Sequence, residues 1–143
     1  MQKFWKLSRA NNFQVGRGST ALWSATEAYV QSAITSGDLH GWLMESDKEV
    51  VAGAGVRLRQ LPPFPSTPSG GYDAHIINVY TDSKHRRRGL ARQLVLSILD
   101  WCADQAMAKV TLSASESGRQ LYKSLGFVET EEMSYPIAQH IKK

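Results

Sequence analysis

His85-Arg86-Arg87-Arg88-Gly89-Leu90-Ala91 stands between two segments of different periodicity, and its reading decides the fold. Before it, Asp73 to Thr81 is rich in isoleucine, valine and tyrosine, the composition of a well-buried strand. After it, Leu90, Ala91, Leu94, Val95, Ile98, Leu99 and Cys102 recur at three and four, which predicts a long amphipathic helix ending near Gln105. A strand that turns through these residues into a helix leaves the first helical N–H groups unpaired and aimed at a common centre. Gly89 has no side chain to block a phosphate, Ala91 is nearly as small, and the neighbouring guanidinium groups add charge. The turn therefore reads as an anion cradle, although an arginine-rich stretch taken alone is more often a solvated basic turn.

Working outward, Ser24-Ala25-Thr26-Glu27 reads as a capping box for a helix whose apolar face is Ala25, Ala28, Tyr29, Ser32 and Ala33, with Gly37 as its stop. Leu39 to Glu45 and Glu49 to Leu61 predict a hairpin across Ser46-Asp47-Lys48, and Gly53 and Gly55 hint at a bulge or a close backbone approach. The proline-rich stretch from Pro62 to Gly71 is a loop, either a flap over a substrate site or a stiff surface connection. Lys109 to Ala114 is a further strand, Arg119 to Leu125 a short helix ended by Gly126, and Phe127 to Tyr135 a final strand. This alternation predicts an α/β fold with a mixed central sheet flanked by helices.

The chain has 143 residues, 42% of them apolar and 21% charged. That size and balance suit one globular domain over residues 1–143. The single Cys102 supports neither a disulfide framework nor a multi-cysteine metal site, and it points to a reducing, cytoplasmic setting. No apolar run approaches the ~20 residues of a membrane span, and the N-terminus lacks the apolar core of a signal peptide. Seventeen basic residues against 13 acidic give a net charge of +4, which suits a polyanionic ligand without demanding nucleic acid. The basic run Lys84 to Arg88 has no interleaved aromatics, so a nucleic-acid-binding module is the weaker reading. His40 and His85 are expected at the surface, and no His, Cys and carboxylate spacing supports a metal.

Two motifs in order make this chain resemble the GCN5-related N-acetyltransferases (GNAT), in particular bacterial members acting on small substrates. The family's coenzyme turn, Gln/Arg-x-x-Gly-x-Gly/Ala, is met by Arg86, Gly89 and Ala91 between a strand and a long helix. Its later strand, polar turn and helix with Leu-Tyr-x-x-x-Gly-Phe is met by Ser113 to Phe127, including Leu121, Tyr122, Gly126 and Phe127. The resemblance runs from about Trp42 to Tyr135. Met1 to Trp23 departs from it, because the family's first helix is missing or degraded there, and that region often helps form the acceptor site.

The resemblance implies transfer of an acetyl group from acetyl-CoA to a primary amine of a small molecule or peptide, without a metal. Coenzyme A would be held by Arg86, Arg87, Arg88, Gly89, Leu90, Ala91 and Arg92 at the diphosphate. Val79, Tyr80 and Thr81 would take the pantetheine arm, with Ser115 as a further contact. A backbone N–H near Val79 would face the thioester oxygen. Tyr122 matches the family's general acid, and a phenol is protonated at neutral pH. For the general base His75 is the first candidate, with Glu116, Asp73 or water as alternatives and a structural strand histidine as the bland reading. Glu129, Glu131 and Glu132 either favour an approaching amine or form a solvated acidic strand end. A catalytically degenerate acyl-CoA-binding sensor of the same fold is the other reading, and homodimers are common in the family.

Overall fold

Strand β1 (Leu39–Ser46) and strand β2 (Glu49–Leu61) form the expected antiparallel hairpin. Its two turn residues take positive φ, 49° at Asp47 and 65° at Lys48, a backbone whose twist matches that of paired strands. The computed structural model describes residues 20–142, so of the departure expected over Met1 to Trp23 all but the last four residues lie outside the described residues. The chain divides after Ser113 into two units.

In the first unit, strand β3 (Gly71–Thr81) adds antiparallel to β2, and strand β4 (Val110–Leu112) adds parallel to β3. The sheet is open and mixed, in the order β1-β2-β3-β4. A parallel neighbour needs a crossover, and helix α2 (Leu90–Asp104) supplies it. Its Leu94, Val95, Ile98 and Cys102 are buried, as their spacing predicts. Val95 and Ile98 are wholly inaccessible, each contributing about 1.5–3 kcal/mol of burial free energy. Trp101 of α2 meets His40 and Trp42 of β1, with ring centroids 4.8 and 5.2 Å away. These residues alternate along β1 with Leu39 and Leu43, which pack with the helix preceding the sheet. The two helices therefore cover opposite faces.

That preceding helix, α1 (Thr20–Ser36), begins earlier than Ser24-Ala25-Thr26-Glu27 suggests. Ser24 lies inside it, and the Thr26 hydroxyl donates to the Leu22 carbonyl rather than capping. The buried face is also different. Val30 and Ala33 are buried with Ile34 beside them, against Leu39, Leu43 and Ile77, whereas Ala25, Ala28, Tyr29 and Ser32 are exposed. The bulkier Val30 and Ile34 bury more apolar area than a stripe of alanines. Gly37, at φ 84°, ends the helix as expected.

The proline-rich segment closes on itself as the β2–β3 connection. Phe64 and Thr67 exchange backbone hydrogen bonds of 3.0 and 2.9 Å, and Gly70 N–H donates to Thr67 at 2.9 Å. An added Cβ at Gly70 would stand 2.8 Å from the Leu61 carbonyl oxygen, so this close crossing requires glycine. These bonds favour the stiff connection over the flap.

The second unit holds helix α3 (Glu116–Ser124) and the segment after it. Its helix stop is complete: Gly126 N–H donates to Lys123 and Phe127 N–H to Tyr122, both at 3.0 Å. The expected strand from Phe127 to Tyr135 is not formed. A strand exists only with a ladder partner. Instead Glu129 turns back to α3, where its carboxylate accepts from Arg119 at 2.6 Å and meets Lys123 at 3.3 Å.

Candidate active site

The middle of β3 is bent by one inserted residue. Gly53 pairs with Tyr80 and Gly55 with Ile77, so Asn78 and Val79 together oppose Ala54. The irregularity falls where Gly53 and Gly55 hinted, but the extra residue is on β3. Asn78 takes φ 52°, a left-handed conformation that asparagine tolerates better than its isoleucine and valine neighbours. A bulge removes backbone groups from the ladder and re-aims the side chains beyond it. Tyr80 is accordingly turned into the core at 7% exposure and pairs with Gly53 of β2, so it holds the strand end while its neighbours face the other edge.

The other edge of β3 is open over the same stretch. Its ladder with β4 covers only Ala74, His75 and Ile76, and among the described residues no strand continues it beside residues 77–81. Val79 and Thr81 therefore present main chain along a free edge, the position expected for an added strand-like arm.

From Thr81 the chain enters the turn through a set of local anchors. Asp82 accepts from the Lys84 N–H at 3.2 Å and pairs with His85 Nδ1 at 3.0 Å. The His85 bond, aided by the Lys84 N–H, holds the Asp82 carboxyl below its ordinary range. Neither expected surface histidine is simply solvated. His85 is half-buried against Asp82, and His40 is half-buried, bonded to the Gly37 carbonyl at 3.1 Å and stacked near Trp101. Arg86 Nε donates to the Thr81 carbonyl at 3.1 Å, tying the turn to the strand end.

Arg87 and Gly89 both take positive φ, 60° and 76°, and swing the chain into α2. Gly89 is the N-cap, and no side chain caps the helix there. The first intrahelical bond runs from Gln93 N–H to the Gly89 carbonyl, so the donors of Gly89, Leu90 and Ala91 have no helical acceptor. A Cβ at Gly89 would meet nothing within 4 Å, so the N-cap itself is open to approach. The exposed Arg87, Arg88 and Arg92 surround this helix start. An uncapped N-terminus with open approach and cationic flanks fits a diphosphate.

Next to the open edge, His75 and Thr111 form a polar pair on adjacent strands, Nδ1 to Oγ1 2.7 Å. Asp73, the alternative base, is 1% exposed and meets Arg59 and Lys109. Among the described residues no group of three or more His, Cys, Asp or Glu is placed to hold a metal ion. Cys102 is buried, and burial raises its thiol pKa, so it is unsuited to act as a thiolate.

The second unit presents Tyr122 in a defined setting of its own. Its ring contacts Phe127, centroids 5.9 Å apart, and lies so close over Gly118 that an added Cβ would come within 2.9 Å of Cε2. The motif Leu-Tyr-x-x-x-Gly-Phe thus has a physical reading: Gly126 ends the helix, and Phe127 returns to clamp the tyrosine. Desolvation raises the Tyr122 pKa, which keeps the phenol protonated and able to donate. Ser115 caps α3 by accepting from Gly118 N–H at 3.2 Å, and Glu116 lies exposed in its first turn.

Asp82 and Thr111 were not singled out from the sequence, and neither Asn78 as the bulge residue nor Gly118 as the contact of the Tyr122 ring was read from it. An asparagine inside an isoleucine-rich strand was the readable signal for the bulge, and aspartate two residues before Lys84 was that for the anchored turn. Nothing local marks Thr111, whose partner is 36 residues away.

Comparison with known proteins agrees with this geometry. Residues 6–127 match the Acetyltransferase (GNAT) family. N-acetyltransferase 8 of Homo sapiens is 30% identical over 92 residues, which are 62% of this chain and 38% of the human protein. N-acetyltransferase family 8 member 2 of Rattus norvegicus is 31% identical over 107 residues, 71% of this chain and 45% of that protein. The chain thus spans less than half the length of these curated relatives. A GCN5-related N-acetyltransferase from Ralstonia eutropha superposes with a TM-score of 0.80 at 30% identity, covering 94% of this chain and 90% of that one. A predicted acetyltransferase from Clostridium acetobutylicum, solved with acetyl-CoA, superposes with a TM-score of 0.83 at 22% identity over 96% and 90% of the two chains. The open mixed sheet, the free edge of β3 and the uncapped start of α2 belong together in one family, and this chain is a member of the GNAT acetyltransferases.

Proposed function

We propose that the protein transfers the acetyl group of acetyl-CoA to a primary amine of a small molecule or peptide, its two units working as one domain. The observation that carries this reading is the free edge of β3 over residues 77–81, which runs through an anchored turn into the uncapped helix start at Gly89.

Acetyl-CoA supplies an activated acyl group as its thioester. The donors of Gly89, Leu90 and Ala91, with Arg86, Arg87, Arg88 and Arg92, hold the diphosphate. Val79 and Thr81 bond the pantetheine arm through their main chain, Tyr80 between them anchors the strand to β2, and Ser115 adds a hydroxyl. A backbone N–H at the β3 bulge polarises the thioester oxygen, stabilising negative charge as the amine nitrogen attacks. As the new C–N bond forms and the C–S bond breaks, Tyr122 donates its phenolic proton to the departing sulfur. His75, directly or through water, receives the proton that the amine loses, and the phenol is restored from solvent.

No described helix is long and apolar enough to cross a membrane. The experiment is release of free coenzyme A thiol from acetyl-CoA, screened across amino acids, polyamines, aminoglycosides and peptide N-termini. Amine-dependent release is expected. A chain that binds acetyl-CoA but releases no thiol in the presence of any of these amines would be a sensor instead of a transferase.

A further inference from the structure

Two rungs of the sheet set a charged row on a single face. Register pairs Arg57 of β2 with His75 of β3, His75 with Thr111 of β4, and, one pleat away, Arg59 with Asp73. Because side chains alternate between faces along a strand, these five residues project from the same side. Lys109 reaches that side too, its Nζ 3.8 Å from Asp73 Oδ2.

The charges in this row do not balance. Asp73 is its one carboxylate, and Oδ2 already accepts from Arg59 at 3.4 Å besides meeting Lys109. Oδ1 is buried without a hydrogen-bond partner among the described residues, so Asp73 is fixed in the protein rather than displayed. Arg57 is exposed and enters no ion pair among the described residues. A guanidinium in this condition matches the planar fork of a carboxylate or the oxygens of a phosphate. Directly opposed cross-strand residues stand with Cβ atoms about 4.5–5.5 Å apart. One small molecule can therefore reach both His75 and Arg57.

We propose that the acceptor amine carries an anionic group, carboxylate or phosphate, and that Arg57 receives it while the amine lies toward His75. This deepens the acetyl-transfer reading and rests on its placing of the acceptor on the His75 face.

The test compares acceptors that differ in the anionic group alone: an amino acid with its primary amide, and glucosamine 6-phosphate with glucosamine. Thiol release at saturating acetyl-CoA gives kcat/KM for each. One charged member is expected to exceed its neutral partner by about tenfold or more, the difference lying in KM, as a hydrogen-bonded charge contact implies. The pair that separates identifies carboxylate or phosphate. In Arg57→Gln that advantage falls to within about threefold, and Arg57→Lys recovers part of it. A retained melting shift with acetyl-CoA shows that each variant is folded. Calorimetric binding of the same amines to the protein holding coenzyme A reads the preference without turnover. Selective binding of the charged amine through Arg57 without thiol release would support this inference while overturning the proposed reaction. Equal preference for both members of both pairs, failure of every one of them to bind, or an advantage that survives Arg57→Gln, would overturn the inference.

Discussion

Gly89→Ala separates the coenzyme cradle from the fold that carries it. Gly89 holds φ 76° and ψ 14°, and an added Cβ meets nothing within 4 Å. The methyl group therefore strains the backbone without striking a neighbour, at a cost of about 1–2 kcal/mol. For 143 residues the unfolding entropy near the midpoint is about 0.3 kcal/mol per degree, so Tm should fall by about 3–7 °C. The same methyl adds bulk at the N-cap, where the diphosphate is proposed to approach the donors of Gly89, Leu90 and Ala91. Loss of one or two charge-assisted hydrogen bonds, at about 1.5–3 kcal/mol each, weakens acetyl-CoA binding by roughly a hundredfold. Differential scanning calorimetry with and without ligand tests both effects together. At a concentration about a hundred times the parent Kd, acetyl-CoA stabilises the parent by about 2.7 kcal/mol, or about 9 °C. In the variant the same concentration equals Kd and contributes about 0.4 kcal/mol, near 1 °C. A variant that melts a few degrees lower yet keeps the full ligand shift would refute the placing of the diphosphate at this helix start.

Three further outcomes are expected. Tyr122→Phe should slow thiol release severalfold or more with acetyl-CoA affinity nearly unchanged, and because burial raises the tyrosine pKa, the parent's alkaline loss of rate should begin only above about pH 10. Gly118→Ala should improve the intrinsic helix propensity of α3 by about 0.5–1 kcal/mol but displace the Tyr122 ring, so slower turnover in a chain whose α3 remains helical by circular dichroism is the expected result. Glu129 is held below its ordinary pKa of 4.5 chiefly by Arg119, then by Lys123, so its contribution is present above that value and lost as pH falls through the lowered one; Glu129→Gln should flatten the dependence of stability on pH in that acid window.

How much of this was legible in the sequence depended on whether its cause was local. The start of α2 was readable because Gly89, Ala91 and the periodic Leu94, Val95 and Ile98 act within a few residues of one another. The stop at Gly126 was readable for the same reason, since glycine takes φ 96° where other residues are strained. The β3 bulge was legible only as a hint on its partner strand, because register is settled between β2 and β3 and not within either. The buried face of α1 was misread, since Val30 and Ile34 are chosen by Leu39, Leu43 and Ile77, outside the helix. Phe127 to Tyr135 has strand-forming residues but no ladder partner among the described residues, and a partner is not a local property of the sequence. The pairing of His75 with Thr111, and of Arg57 with His75, exists only once three strands are aligned.

Coenzyme bound through the main chain of β3 and of the start of α2 changes backbone amide hydrogen exchange there, measured with and without acetyl-CoA. Exchange should slow at Val79 and Thr81 and at Gly89 to Ala91, where the ligand would supply the missing acceptors. Saturating acetyl-CoA that leaves those amides unchanged while protecting another part of the chain would contradict the account.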